Sequence, residues 1–217
     1  MTDLTEQLKT QRQQSESRRE KRQVDAMHRA TFDLLKKGIE KTALQTDDTV
    51  PRFQLENTHG ALVDTFDALK TGPVVLSFYR GSWCPYCNLT LRAYQAHLAD
   101  IHACGARFVA VSPELRERAL ANAEKFGLEF EILSDAGNAV AGRFGLAYKM
   151  PAELVAVYLE LGTDIPRFNG DDSWVLPVPA TYIIGAGGKI VFSSINAEYT
   201  ERIEPERVIR ALKALPE

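Results

Sequence analysis

The 217-residue sequence has few cysteines, no long apolar run and little net charge. Three cysteines are too few for a disulfide-stabilised scaffold. No apolar run approaches the ~18 residues of a membrane-spanning helix, and residues 1–14 lack the apolar centre of a signal peptide. A net charge of −3 and a pI of about 5.9 do not favour nucleic-acid binding. We therefore expect a soluble, cytoplasmic protein that binds neither nucleic acid nor membranes.

Residues 1–46 differ in composition from the rest of the chain. Residues 9–23 are almost entirely polar helix formers, and an apolar stripe with helical spacing runs from Val24 to Leu35. We predict an N-terminal helical extension over residues 1–46 and one folded domain over residues 47–217. The extension is interpreted as a solvated helix that docks only its C-terminal half, or as an arm that packs on a second subunit.

From residue 50 onwards, strand-like and helix-like segments alternate. Strands are predicted in a hairpin at 50–66, in buried runs at 73–79, 106–113 and 130–135, and in a second hairpin at 180–195. Helices are predicted at 87–104, 114–127, 137–145 and 203–215, the third of them capped by Asp135. This order predicts an α/β fold with a central mixed sheet and helices on both faces.

The stretch RGSWCPYCNL, residues 80–89, places Cys84 and Cys87 where a buried strand gives way to a helix. The N-terminus of a helix is electropositive and lowers the pKa of a thiol. Pro85 suits the first helical position, and Arg80 adds positive potential. The spacing brings both sulfurs to one face of the first turn. This pattern indicates thiol–disulfide exchange, in which one sulfur attacks and the other resolves the intermediate.

The cysteines could also bind zinc or have a purely structural role. A zinc site needs four ligands, but the chain has no second C-x-x-C, and His97 and His102 fall on different faces of the predicted helix. The pair could also be structural, or a helix start without reactivity. Cys104 sits at the predicted end of that helix and is interpreted as a core residue, with an extra resolving thiol as the alternative.

Several motifs together resemble the alkyl hydroperoxide reductase / thiol-specific antioxidant (AhpC/TSA) superfamily of the thioredoxin fold. They are VPRFQLENTHGALVDTF, GPVVLSFYRGSWCPYCN, FVAVSP, ILSD, AGRFG and PATYIIGAGGKI, in that order between residues 50 and 190. The C-x-x-C is similar to that of a peroxiredoxin-like subgroup. The resemblance implies a thioredoxin-like fold for the domain. Because dimers are common in this superfamily and the N-terminal arm could pack on a second subunit, we also expect a homodimer.

The resemblance also implies roles for individual residues. It puts Cys87 at the peroxidatic position, with Cys84 where the family has Thr or Ser and Arg80 where it has proline. Pro179 stands where the family has a later arginine, at the place of the cis proline of thioredoxins. By the thioredoxin analogy, Cys84 would instead be the exposed attacking thiol and Cys87 the resolving one.

Two aromatic residues, Trp83 and Tyr86, flank the thiols and are expected either to wall the site or simply to pack beside the strand. We expect a thiol-dependent antioxidant oxidoreductase that reduces hydroperoxides through a Cys84–Cys87 disulfide. A thioredoxin- or glutaredoxin-type donor would reopen the disulfide, and no metal or organic cofactor is implied. The alternatives are a disulfide oxidoreductase without peroxidase activity and a redox sensor without turnover.

Overall fold

The computed structural model describes residues 3–215. The helices of this part are α1 (Leu4–Ser17), α2 (Lys21–Lys37), α3 (Ile39–Thr42), α4 (Thr65–Leu69), α5 (Pro85–Ala96), α6 (Leu98–Ala103), α7 (Arg116–Phe126), α8 (Ala139–Arg143), α9 (Ala152–Glu160), α10 (Ile165–Asn169) and α11 (Pro205–Lys213). The strands are β1 (Gln54–Asn57), β2 (Leu62–Asp64), β3 (Val74–Phe78), β4 (Arg107–Ser112), β5 (Glu131–Ser134), β6 (Ala147–Lys149), β7 (Val175–Pro177), β8 (Ala180–Ile184) and β9 (Ile190–Ile195).

Seven strands form one mixed sheet in the order β2-β1-β5-β4-β3-β8-β9. The central strand β3 pairs in parallel with β4 and antiparallel with β8, and all five of its residues are buried. Alternate β3 side chains enter two apolar clusters, since Val75 belongs to one and Leu76 to the other. Helices therefore cover both faces of the sheet, and the predicted thioredoxin-like α/β fold is confirmed.

The N-terminal segment forms α1, α2 and the short α3, and both α1 and α2 dock on the rest of the chain. Leu4 and Leu8 of α1 are buried in the apolar cluster that contains the two cysteines of the C-x-x-C. The helix α1 packs against α5, and α2 packs against α9. The interpretation that only the C-terminal half docks is wrong, because two leucines in the first two turns supply the buried face that the polar residues 9–23 lack. The division of the chain at residue 46 stays a prediction.

Other elements differ locally from their predicted form. The helix expected over residues 87–104 is broken at His97 into α5 and α6. A small antiparallel sheet of β6 and β7 was not predicted, because three-residue strands carry almost no periodic signal. The predicted cap is confirmed, since the Asp135 carboxylate accepts hydrogen bonds from the Val140 and Ala141 amides of α8.

Among residues 3–215, no helix combines the length and the apolar character required to cross a bilayer.

Candidate active site

The C-x-x-C lies where β3, a fully buried interior strand of the sheet, passes into α5. Cys84 is the N-cap residue of α5, Pro85 opens its first turn and Cys87 follows in the same turn. The Asn88 amide donates to the Cys84 carbonyl as the first helical hydrogen bond. Because the remaining amides of the first turn have no helical acceptor, both sulfurs lie in the positive potential of the helix end.

Both thiols are buried, and they contact one another. Cys84 is 1% exposed and Cys87 is 0% exposed, and a hydrogen bond joins their side chains. The expectation of an exposed Cys84 is therefore wrong, because the N-terminal helices and the aromatic residues of the site cover this end of the sheet. Cys84 nevertheless lines a cavity of about 180 Å³. Cys87 is not among the residues that line this cavity, so small molecules in it meet Cys84.

The two thiols ionise very differently. Burial opposes ionisation of Cys87, but the hydrogen bond with Cys84, the positive charges of Arg202 and Arg80 and the Arg80 amide outweigh it and lower its pKa to about 5. Burial raises the pKa of Cys84 well above the usual range of a thiol, and the neighbouring Cys87 raises it further. The pair at neutral pH is thus a Cys87 thiolate beside a Cys84 thiol.

Arg80 supplies a buried positive charge without a carboxylate partner. The side chain is 1% exposed, and its Nη2 donates to the Tyr158 hydroxyl. The guanidinium carbon lies 4.4 Å from the ring centroid of Tyr199 and 4.8 Å from that of Trp83. Aromatic rings therefore hold the Arg80 charge at the thiol pair, where sequence analysis had placed it only by proximity along the chain.

Arg202 is a second guanidinium at the site, and sequence analysis missed it. It follows β9, and its Nη2 lies 3.6 Å from Cys87 Sγ in a hydrogen bond. Two carbonyl oxygens, those of Tyr199 and Glu201, accept hydrogen bonds from Nη1 and hold the guanidinium in place. No local sequence signal marks this residue, because the contact joins positions 115 residues apart.

Glu114 is a buried carboxyl group close to the same thiol. It accepts hydrogen bonds from the Ser82 amide and hydroxyl in the loop before α5. Burial raises the pKa of Glu114 to about 6, and the neighbouring Cys87 adds to that rise. Glu114 thereby fixes the loop that carries the C-x-x-C.

The other residues singled out in the sequence occupy different places. Trp83 and Tyr86 both line the cavity beside Cys84, and the Tyr86 ring meets the Tyr199 ring edge-on at 5.6 Å. Pro179 is buried directly before β8, and its carbonyl accepts from the Asn196 amide.

The analogy with the cis proline of thioredoxins would make the Val178–Pro179 bond cis, and this hypothesis is wrong, since the described chain has no cis peptide bond. The extended trans chain at Pro179 leads straight into the register in which Ala180 pairs with Phe78.

Cys104 and His97 lie apart from the C-x-x-C. Cys104 is half-buried at the C-terminal end of α6, where it packs against the apolar cluster. His97 bonds to Glu206 on α11. Within residues 3–215, no group of three or more His, Cys, Asp or Glu side chains is arranged to hold a metal ion.

Removing the Arg202 charge is expected to raise the pKa of Cys87 by about one to two units, because an opposite charge at hydrogen-bond distance lowers a thiol pKa by about that much. Around pH 5, where wild-type Cys87 is half ionised, Arg202→Gln should hold several-fold less thiolate. Ultraviolet absorbance of the thiolate, titrated against a Cys87→Ser blank, measures this. The exposed Arg207→Gln on α11 is the matched control, and equal titration curves for the two variants would contradict the assignment.

Comparison with known proteins agrees with this geometry. The sequence model of the AhpC/TSA family matches residues 46–193. A chloroplastic peroxiredoxin Q of Sedum lineare is 28% identical over 161 residues, which cover 74% of this chain and 72% of that protein. The match to the peroxiredoxin Q of Triticum aestivum covers 60% of that protein.

Two further comparisons bear on the fold and on the alternative chemistry. The crystal structure of peroxidoxin BcpB from Mycobacterium tuberculosis superposes with a TM-score of 0.63 at 21% identity, covering 80% of this chain and 99% of the other. The thiol-disulfide oxidoreductase ResA of Bacillus thuringiensis is 21% identical over 166 residues, which cover 76% of this chain and 78% of that protein. Both kinds of protein are similar to this chain across most of its length.

Proposed function

Because the chain belongs to the AhpC/TSA family, we propose that it is a thiol peroxidase that reduces hydroperoxides through a Cys84–Cys87 disulfide. The observation that carries the proposal is the Cys87 sulfur. In the reduced protein, this sulfur is hydrogen-bonded to the Cys84 thiol and accepts a hydrogen bond from Arg202. These contacts lower the pKa of Cys87 to about 5. A stabilised thiolate with a second thiol in contact is the arrangement that this chemistry requires.

The oxidising half of the cycle uses both sulfurs. The Cys87 thiolate attacks the terminal oxygen of the hydroperoxide, the O–O bond breaks, and the alkoxide takes a proton and leaves as an alcohol, or as water when hydrogen peroxide is the substrate. Cys87 is now a sulfenic acid. The Cys84 sulfur attacks it, loses its own proton and expels water, so that the two cysteines form a disulfide. Arg202 and Arg80 supply positive charge where negative charge develops on the oxygen.

A thioredoxin-type donor supplies the electrons for the reducing half of the cycle. The donor thiolate attacks Cys84, the sulfur that lines the cavity, and Cys87 leaves. A thiol with a low pKa is the better leaving group. The same charges that activate Cys87 for peroxide therefore also direct the reductant to Cys84.

The family's Thr or Ser before the peroxidatic position is Cys84 in this chain, so the disulfide forms within one turn of α5. The similarity to ResA is consistent with disulfide chemistry on this pair. Both activities use the same cysteines. The rate of reaction with peroxide therefore distinguishes a peroxidase from a disulfide oxidoreductase.

We expect stopped-flow mixing of the reduced protein with hydrogen peroxide to show disulfide formation far faster than oxidation of free cysteine at the same pH. Coupled turnover with thioredoxin, thioredoxin reductase and NADPH should then be catalytic in peroxide. The intrinsic fluorescence of Trp83, which lies beside the thiols, reports the first step. A peroxide rate no greater than that of free cysteine, together with rapid reduction of a protein disulfide, would overturn the peroxidase assignment in favour of the oxidoreductase. The predicted homodimer and the cytoplasmic location stay predictions.

A further inference from the structure

The cavity beside Cys84 combines positive charge with apolar and aromatic walls. Arg19 and Arg80 both line it, and none of the described residues that line it is acidic. The remaining walls include Met27 of α2 and the rings of Trp83 and Tyr86. At about 180 Å³, the cavity suits a small organic molecule better than a protein segment. Its lining is complementary to a small anion with a short apolar body.

Arg19 is the first of the two positively charged residues that line this cavity. It lies between α1 and α2, its side chain is half-buried, and its Nε is buried without a hydrogen-bond partner in the described chain. Neighbouring arginines in the N-terminal helices do form ion pairs: Arg12 with Glu16 and Arg22 with Glu160. Within residues 3–215, Arg19 forms no such pair. The guanidinium is therefore available to an anion in the cavity.

Arg80 is the second cation, and its electrostatic partner changes with the redox state. Its hydroxyl and aromatic partners are uncharged, and its Nε is buried without a hydrogen bond. In the reduced protein, the Cys87 thiolate is the negative charge that faces it. When Cys84 and Cys87 form a disulfide, both sulfurs become neutral and Arg80 is left as a buried cation with no anion beside it. A buried unpaired charge is costly, so the oxidised protein gains more than the reduced one from an anion in the cavity.

We propose that the oxidised protein binds the carboxylate of a small thiol at Arg19 and Arg80, and that this bound thiol reduces the Cys84–Cys87 disulfide. The inference rests on the proposed function only in that the disulfide forms during the cycle. It adds a direct small-molecule reductant to the thioredoxin-type donor, and it assigns a ligand-binding role to the N-terminal helices.

The reduction consumes two molecules of the small thiol. The first thiolate attacks Cys84 Sγ, the Cys84–Cys87 bond breaks, and Cys87 leaves as a thiolate while a mixed disulfide forms on Cys84. A second thiolate attacks the sulfur of the bound ligand, and Cys84 leaves and takes up a proton. Two thiols are oxidised to one small-molecule disulfide, and the protein disulfide is reduced to the dithiol. The carboxylate of the first thiol orients its sulfur towards Cys84, which lies in the same cavity.

The test starts from protein oxidised with diamide, so no peroxide is needed. Reopening of the disulfide is followed by alkylation and mass spectrometry with three probes that differ in charge: 3-mercaptopropionate, 2-mercaptoethanol and cysteamine. Each per-thiolate rate is divided by the rate of the same thiol with a small uncharged disulfide, which removes the differences in both thiol pKa and intrinsic nucleophilicity. The expected order is anionic above neutral above cationic, with 3-mercaptopropionate favoured by about tenfold or more, the usual value of a charge-assisted hydrogen bond, and with saturation at high concentration.

The variants Arg19→Gln and Arg18→Gln form a matched pair, because Arg18 is the exposed neighbour of Arg19. Arg19→Gln should lower the ratio of the 3-mercaptopropionate rate to the 2-mercaptoethanol rate several-fold, and Arg18→Gln should keep the wild-type ratio. Propionate should compete with 3-mercaptopropionate, whereas 1-propanol should not. Equal normalised rates for the three probes, or equal behaviour of the two variants, would overturn the inference. Slow oxidation by peroxide would instead count against the peroxidase assignment and would leave this result standing.

Discussion

Cys87→Ser is expected to abolish rapid oxidation by hydrogen peroxide, with a loss of about a thousandfold or more in rate, because the variant lacks the nucleophile. Cys84→Ser should still react once, since Arg202 and Arg80 remain beside Cys87. Its product should stop at a sulfenic acid on Cys87, because no second sulfur is present to displace water. Dimedone labelling with mass spectrometry identifies the oxidised residue, and stopped-flow fluorescence gives the rates.

Cys104→Ser is the control for these variants, because Cys104 lies at the far end of α6 and is a free thiol like the other two. It should match the wild type in rate and in disulfide formation. The opposite pattern, with sulfenic acid on Cys84 in the Cys87→Ser protein and no reaction in Cys84→Ser, would mean that Cys84 attacks first. The low pKa of Cys87 and its hydrogen bond from Arg202 would then only make Cys87 a better leaving group when the disulfide is reduced.

Leu8→Ala is expected to lower the free energy of unfolding by about 2–5 kcal/mol, the usual cost of truncating a buried leucine. Leu8 lies in the same apolar cluster as Cys84 and Cys87, and its helix packs on α5. The same helix is tied to the loop after β9, where Glu204 accepts hydrogen bonds from the Leu4 and Thr5 amides. We therefore expect loss of packing to loosen both the cysteine helix and the segment that carries Arg202.

Urea denaturation measures the change in stability, and the matched control is Leu35→Ala in α2. Leu35 is 44% exposed, so its truncation should change the free energy of unfolding by no more than about 0.5 kcal/mol. A Leu8→Ala protein as stable as Leu35→Ala would show that α1 is a dispensable appendage. In that case the docking of α1 could not be what holds Arg19 and Met27 in the cavity wall.

The chemistry of Cys84 and Cys87 was predictable because it depends on neighbours in sequence. A buried apolar strand, a proline at the first helical position and two thiols in one turn are all local features, and the structure places them as expected. The Asp135 cap followed from the same kind of local reasoning. Local hydrogen bonding and periodicity carry such information directly.

The electrostatics of the site could not be predicted in this way. Arg202 reaches Cys87 only because β9 pairs with β8, the strand next to β3, so that the segment after β9 returns to the start of α5. Glu114 reaches Ser82 because β4 lies parallel to β3. Neither residue stands in a recognisable motif, and their partners are set by strand order. Hydropathy along the chain does not encode strand order.

The sequence by itself determined the alternation of strands and helices, the position of the two thiols at a helix start and the family to which the chain belongs. Only the tertiary structure decided that Cys84 is enclosed, that Cys87 carries the charge, and that Arg19 and Met27 of the N-terminal segment line the cavity beside Cys84. The physical reason is that burial and charge pairing depend on which surfaces meet. Leu4 and Leu8 pack an otherwise polar helix onto the complementary apolar cluster.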